Sequence, residues 1–145
     1  MIECLQRFID YFEHLQPADL SRLPDYYDEK AHFKDPFNNV RGVVAIKKIF
    51  EHMFESLDTP RFYVRTRLLD GNQGFVTWDF HFRLLTRSRP AFQIHGSSHL
   101  IFNEQGQIHW HRDYWDVAEE LYEKFPGLGW MLRRLKRRLC PSVTA

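Results

Sequence analysis

The chain has 145 residues and a formal net charge of +1; 43% of its residues are apolar and 16% aromatic. That much apolar area orders a chain without help, so intrinsic disorder is excluded, and near-neutral charge gives no global field for nucleic acid or an acidic partner. No apolar run approaches the roughly 20 residues that a membrane span needs, and with Glu3, Asp10 and Glu13 among the apolar residues of the N-terminus no signal peptide is expected there.

A single domain over 1–145 is expected, with a core to about 123, in a cytoplasmic setting. Cys4 and Cys140 stand near opposite ends and make neither a disulfide framework nor a metal spacing. In chain order, Ile2, Leu5, Phe8, Ile9, Phe12 and Leu15 recur at helical spacing over 2–15. Pro17 stops that helix, and Asp19 caps a second one running to about Tyr27. A short strand, Ala31 to Asp35, is halted by Pro36 and the Asn38-Asn39 loop. After Gly42, the series Val43, Ile46, Ile49, Phe50, Met53, Phe54 and Leu57 predicts an amphipathic helix.

Four alternating strands follow, over about 62–68, 74–87, 90–103 and 107–115, the first two joined by the turn Asp70-Gly71-Asn72. On the 74–87 strand Val76, Trp78, Phe80, Phe82 and Leu84 share one face; on 90–103 Phe92, Ile94, Gly96, Ser98, Leu100 and Phe102 do. A helical segment closes the chain, broken at Pro126-Gly127. Helices grouped early and a meander of long strands predict an α+β fold, with helices covering one face of a curved sheet.

The stretch with Asp19-Leu20, Tyr26-Tyr27, Phe33-Lys34-Asp35-Pro36 and Arg41-Gly42 resembles the start of SnoaL-like and ketosteroid-isomerase-like proteins of the nuclear transport factor 2-like superfamily. His111-Arg112-Asp113-Tyr114-Trp115-Asp116 resembles the closing strand of SnoaL-like and limonene-epoxide-hydrolase-like members. The resemblance implies a cone-shaped, cystatin-like fold: a curved, mostly antiparallel sheet wrapped around the N-terminal helices and enclosing one apolar pocket.

It also implies candidate residues. The isomerases' general base falls on Asp35, their oxyanion-donating tyrosine on Tyr11, and their protonated aspartate on Ser98. One aspartate of the epoxide hydrolases falls on Asp113, while the Arg-x-Asp pair of those enzymes falls on Phe80 and Phe82. The resemblance points His111, Asp113 and Trp115 inward and leaves Trp110, Arg112 and Tyr114 outside. Asp35, Asp113 and Tyr11 are thus the catalytic candidates. Ser98, His111, Phe80, Phe82, Trp78, Trp115 and Phe33 are expected to contact a ligand.

Each candidate has a plainer alternative. Asp35 before Pro36 suits turn capping as well as base catalysis. Tyr11 suits core packing, and His111 with Asp113, about 7 Å apart on one strand face, suits a satisfied polar pair. His109-x-His111 offers two metal ligands and no third, so no metal is expected; no organic cofactor is expected either, since no phosphate-binding glycine loop occurs.

Residues 126–140 form a basic amphipathic helix, with Trp130, Met131, Leu132, Leu135 and Leu139 against Arg133, Arg134, Lys136, Arg137 and Arg138. It is expected to dock its apolar stripe on the domain, membrane-surface contact being the less favoured alternative. The expected function is binding of a small lipophilic molecule in the pocket, with acid–base chemistry of an isomerase, cyclase or hydrolase kind open. Pairing into a homodimer through the sheet face is expected, and no nucleic acid. A non-catalytic dimeric module for protein partners is the alternative.

Overall fold

The computed structural model describes residues 1–88, 90–124 and 127–139, with only the backbone of Arg138 and Leu139. Pro126 and Cys140 therefore lie outside the described residues. The first helix, α1 (Ile2–Glu13), buries Leu5, Phe8, Ile9, Tyr11 and Phe12 along one stripe and leaves Glu3, Arg7 and Asp10 outside. Where a second α-helix is expected, Pro17–Asp25 winds as a 3-10 segment. Pro24 is the physical reason: it has no N–H for the carbonyl four residues back, and it disfavours helical geometry at Leu23.

Strand β1 (Tyr27–Lys34) starts before the expected Ala31, and β2 (Asn39–Arg41) occupies part of the expected loop by pairing Val40 with Phe33. Gly42 then turns the chain at φ 89°, a conformation side chains resist, and α2 (Val43–Ser56) follows with Ile46 and Phe50 buried. The remaining strands are β3 (Leu57–Asp70), β4 (Gln73–Leu84), β5 (Ala91–Phe102) and β6 (Ile108–Tyr114). Their order is β2-β1-β6-β5-β4-β3, an open sheet in which β1 runs parallel to β6 and every other pair is antiparallel. Register shifts in β1, β3 and at the β5–β6 pair bend the sheet, and α1 and α2 pack over its concave face.

The alternation read from the sequence holds on β4 and β5: Val76, Trp78, Phe80, Phe82, Ile94, Ser98, Leu100 and Phe102 are all buried. Gly96 lies opposite Trp78, and a Cβ there would stand 2.3 Å from the indole ring, so only glycine lets that ring lie flat on β5. On β6 the shift between Ile101 and Phe102 adds one residue, His109. Ile108 and His111 are therefore both buried despite their odd spacing, and Trp110 turns to the other face against His32.

After β6, Asp116 caps the short α3 (Val117–Glu120) by accepting from the Ala118 and Glu119 N–H groups. A 3-10 turn (Tyr122–Lys124) leads to α4 (Leu128–Leu139). The docking of α4 differs from expectation: it packs by its polar side. Arg133 Nη1 donates to the Glu123 carbonyl at 2.9 Å, and Lys136 Nζ lies 3.3 Å from Glu119 and 3.5 Å from Glu123. Gly129 permits the approach, since a Cβ there would meet the Glu123 carbonyl oxygen at 2.2 Å. Among the described residues no helix is long and apolar enough to cross a membrane.

Candidate functional site

The inward face of β6 carries His111 and Asp113, and β5 sets Ser98 opposite Asp113. Four hydrogen bonds join side chains from three strands and the neighbouring β1. Trp78 Nε1 donates to Ser98 Oγ at 2.8 Å, and Ser98 Oγ donates to Asp113 Oδ1 at 2.5 Å. His111 Nε2 lies 2.8 Å from the same Oδ1, and His111 Nδ1 lies 2.6 Å from the Tyr27 hydroxyl.

The directions follow from chemistry. An indole N–H only donates, so the Ser98 proton goes to Asp113; a carboxylate oxygen only accepts, so Nε2 carries the imidazole proton and Nδ1 accepts from Tyr27. Burial, and after it the nearby Asp113 charge, push the Tyr27 hydroxyl well above the usual tyrosine range, which keeps its proton in place. Every donor thus leads toward Asp113 Oδ1. Among the described residues Oδ2 has no hydrogen-bond partner, and it is not a sealed atom.

Asp113 borders two spaces. One is a space of about 30 Å³, lined by Phe8, Phe12, Ser98 and His111 among others and large enough for one water molecule. The other is a cavity of about 390 Å³, within the range of small-molecule sites. Phe33, Phe50, Phe62, Trp78, Phe80, Phe82, Ile94 and Trp115 make its wall, and Asp35, Asn38 and His52 add polar groups. No Lys or Arg is among the described residues that line it.

The structure brings together Asp113, Ser98, His111 and Trp78, with Phe33, Phe80, Phe82 and Trp115 along the same cavity. Ser98 and His111 reach that cavity through Asp113 rather than by lining it. Asp35 does line it, but its carboxylate is engaged in its own turn. Oδ1 accepts from the Phe37 and Asn38 N–H groups at 2.7 and 2.5 Å, and Oδ2 from Asn38 Nδ2 at 2.9 Å.

Tyr11 lines neither space: its hydroxyl donates to the Asp19 carbonyl at 2.8 Å and its ring stacks on Tyr26 at 4.1 Å. Burial, then the Asp19 charge, raise its hydroxyl above the usual range, as expected of a core tyrosine. His109 is exposed while His111 is buried, so the two rings do not converge.

Tyr27 is the member that pattern reasoning missed. Its bond to His111 spans 84 positions of sequence and depends on the parallel β1–β6 pair. The adjacent tyrosines Tyr26 and Tyr27 were visible, but nothing local distinguishes the one that enters the core. Phe50 and Met53 of the wall belong to a stripe that helical period does reveal.

An open, bent, mostly antiparallel sheet closing over helices around a deep cavity is the architecture of the nuclear transport factor 2-like superfamily. The sequence profile of the SnoaL-like domain matches residues 8–111, and the chain belongs to that family.

Solved structures agree on the fold. An epoxide hydrolase of the limonene-epoxide-hydrolase-like type from M. tuberculosis superposes with a TM-score of 0.68 at 13% identity, over 98% of this chain and 94% of that one. A protein of ketosteroid isomerase-like fold from Catenulispora acidiphila, solved with trimethylamine, gives 0.69 at 12% identity, over 82% and 89%. An NTF2-like protein of unknown function from Exiguobacterium gives 0.67 at 15%, over 78% and 98%. No curated protein sequence matches the chain.

Proposed function

We propose that the chain binds a small lipophilic molecule in the cavity and moves a proton on it, with Asp113 as the general base. The observation that carries this reading is the asymmetry of that carboxylate. Oδ1 is held by two donors, while Oδ2 is without a partner among the described residues, on a side chain that lines an aromatic cavity. A base needs one oxygen free for the proton and the rest of the group fixed in place. Ser98 with Trp78 on one side, and His111 with Tyr27 on the other, do the fixing.

The ligand class follows from the wall. With no Lys or Arg among the described lining residues, an anionic ligand would lose its hydration without a permanent counter-ion, so an uncharged or cationic molecule is favoured. Two proton sources fit a carboxylate there: a C–H beside a carbonyl, or a water attacking an epoxide. A protein of the same fold is named as an epoxide hydrolase, but Phe80 and Phe82 stand here where the resemblance to those enzymes would put their Arg-x-Asp pair. A non-catalytic scaffold would want the cone filled, and the open cavity favours the ligand-binding reading.

The test is a panel of lipophilic ketones in deuterated water, read for hydrogen exchange, and of epoxides, read for diol. Wild-type protein is expected to turn over one of them. Asp113→Asn is expected to bind the same compound without turning it over, and undiminished turnover by that variant would remove Asp113 from the role.

A further inference from the structure

The terminal helix half-buries Leu132 but presents Leu128, Trp130, Met131 and Leu135 to solvent. At about 100° per residue, Gly129, Arg133 and Lys136 share one side of α4, and that side faces the chain at 119–123. Met131 and Leu135 lie on the opposite side together with Arg134, flanked by Trp130 and Arg137 to one edge and Leu128 to the other. The exposures agree: Leu128 38%, Trp130 59%, Met131 54% and Leu135 53%.

A helix whose apolar stripe were meant for its own core would bury it. Here the fold uses the polar side of α4 for docking, so the apolar stripe is displayed beside cations. Arg134 lies over the Trp130 ring at 5.8 Å, and Arg137 has no partner among the described residues.

We propose that α4 is an interfacial helix that seats the protein on an anionic lipid surface. Charge complementarity selects this occupant. Apolar groups of this size enter the acyl boundary, tryptophan favours the headgroup level, and long cationic side chains at the edges reach back to lipid phosphates. Two cations, Arg134 and Arg137, stand on the displayed side, and no acidic residue lies between Leu128 and Leu139 of the sequence, which a neutral protein surface would not match.

The chain before this helix carries Leu121 into the cavity wall, and α4 packs on the 3-10 turn that follows Leu121. The proposal rests on the helix and stands or falls independently of the chemistry at Asp113.

The experiment is flotation of the full chain with vesicles of phosphatidylcholine alone and with equimolar phosphatidylcholine–phosphatidylserine. Binding is expected only to the anionic vesicles and is expected to weaken with added salt. Arg134→Gln with Arg137→Gln is expected to lower partitioning about 30-fold, from the usual worth of two surface cations. Met131→Asp with Leu135→Asp is expected to lower it by about tenfold or more.

These side chains are exposed, so both variants are expected to keep the wild-type melting temperature, which is measured alongside. Absence of anionic-vesicle binding, or binding that neither variant weakens, overturns the proposal. So does light scattering that shows α4 pairing two copies, if Met131→Asp with Leu135→Asp separates them and vesicles do not bind.

Discussion

The sheet holds two carboxylates beside histidines, one on each face, and they are arranged differently. On the outer face, Asp79 of β4 accepts from His95 Nδ1 through Oδ1 at 2.8 Å and from Arg65 Nε through Oδ2 at 2.7 Å. Both oxygens are engaged by basic groups whose own side chains are more than half exposed to solvent. On the inner face, Asp113 has one oxygen loaded and the other without a partner among the described residues, no Lys or Arg among the described residues that line its cavity, and a histidine that is 4% exposed. A carboxylate satisfied on both sides supports structure. One satisfied on a single side, in an apolar cavity, has an oxygen left for chemistry.

The largest effect that tests this contrast is on turnover. Asp113→Asn is expected to cost about 10²- to 10⁴-fold, the usual worth of a positioned base. Its amide oxygen still accepts from Ser98 and His111, so thermal unfolding should hardly move. Asp79→Asn is expected to leave turnover unchanged, and equal losses in the two variants would erase the distinction.

Gly96→Ala comes next. The new methyl overlaps the Trp78 indole, so a loss of about 1–3 kcal/mol in denaturant unfolding is expected, together with altered tryptophan fluorescence and weakened ligand binding. An unaffected indole would show that the floor of the cavity can shift freely.

Tyr27→Phe removes the only donor to His111 Nδ1 among the described residues. Leaving that buried nitrogen unpaired is expected to cost about 1–3 kcal/mol of stability, with a fall in turnover smaller than that of Asp113→Asn. Arg65→Gln on the outer face should cost less than about 1 kcal/mol, because an exposed pair is screened by water.

The smallest effect is one of pH. The His95 hydrogen bond, then that of Arg65, holds the Asp79 carboxyl below the usual carboxylate range. A depressed folded value means that its contribution is complete above the unfolded carboxyl value, about 3.9, and is lost as pH falls through the lower folded value. The stability difference between wild type and Asp79→Asn should therefore be flat near neutrality and shrink below about pH 4. A difference that persists at lower pH would assign it to packing.

Much of this molecule was legible in one dimension. Period-two alternation identified the inward faces of β4 and β5, down to Gly96 and Ser98, and helical period identified α1 and α2. These patterns are local, because a side chain's direction along a strand or helix follows from its backbone alone. The resemblance in the closing strand also placed His111 and Asp113 on the inner face. Pro24 also stands in the sequence, and it turns the expected second helix into a 3-10 segment.

Three features had to wait for the fold. Tyr27 meets His111 only because β1 lies parallel beside β6, a pairing that no local signal encodes. Asp35 turns its carboxylate to the N–H groups of its own loop, and which oxygens a turn consumes depends on the backbone path after Pro36. The amphipathic pattern of α4 showed that it has two faces; which of them meets the protein was decided by Gly129 and the carbonyl of Glu123. Sequence by itself determined the directions of side chains within each element. Only the tertiary structure decided which elements meet, and a polar group becomes available for function only where its partners are counted across them.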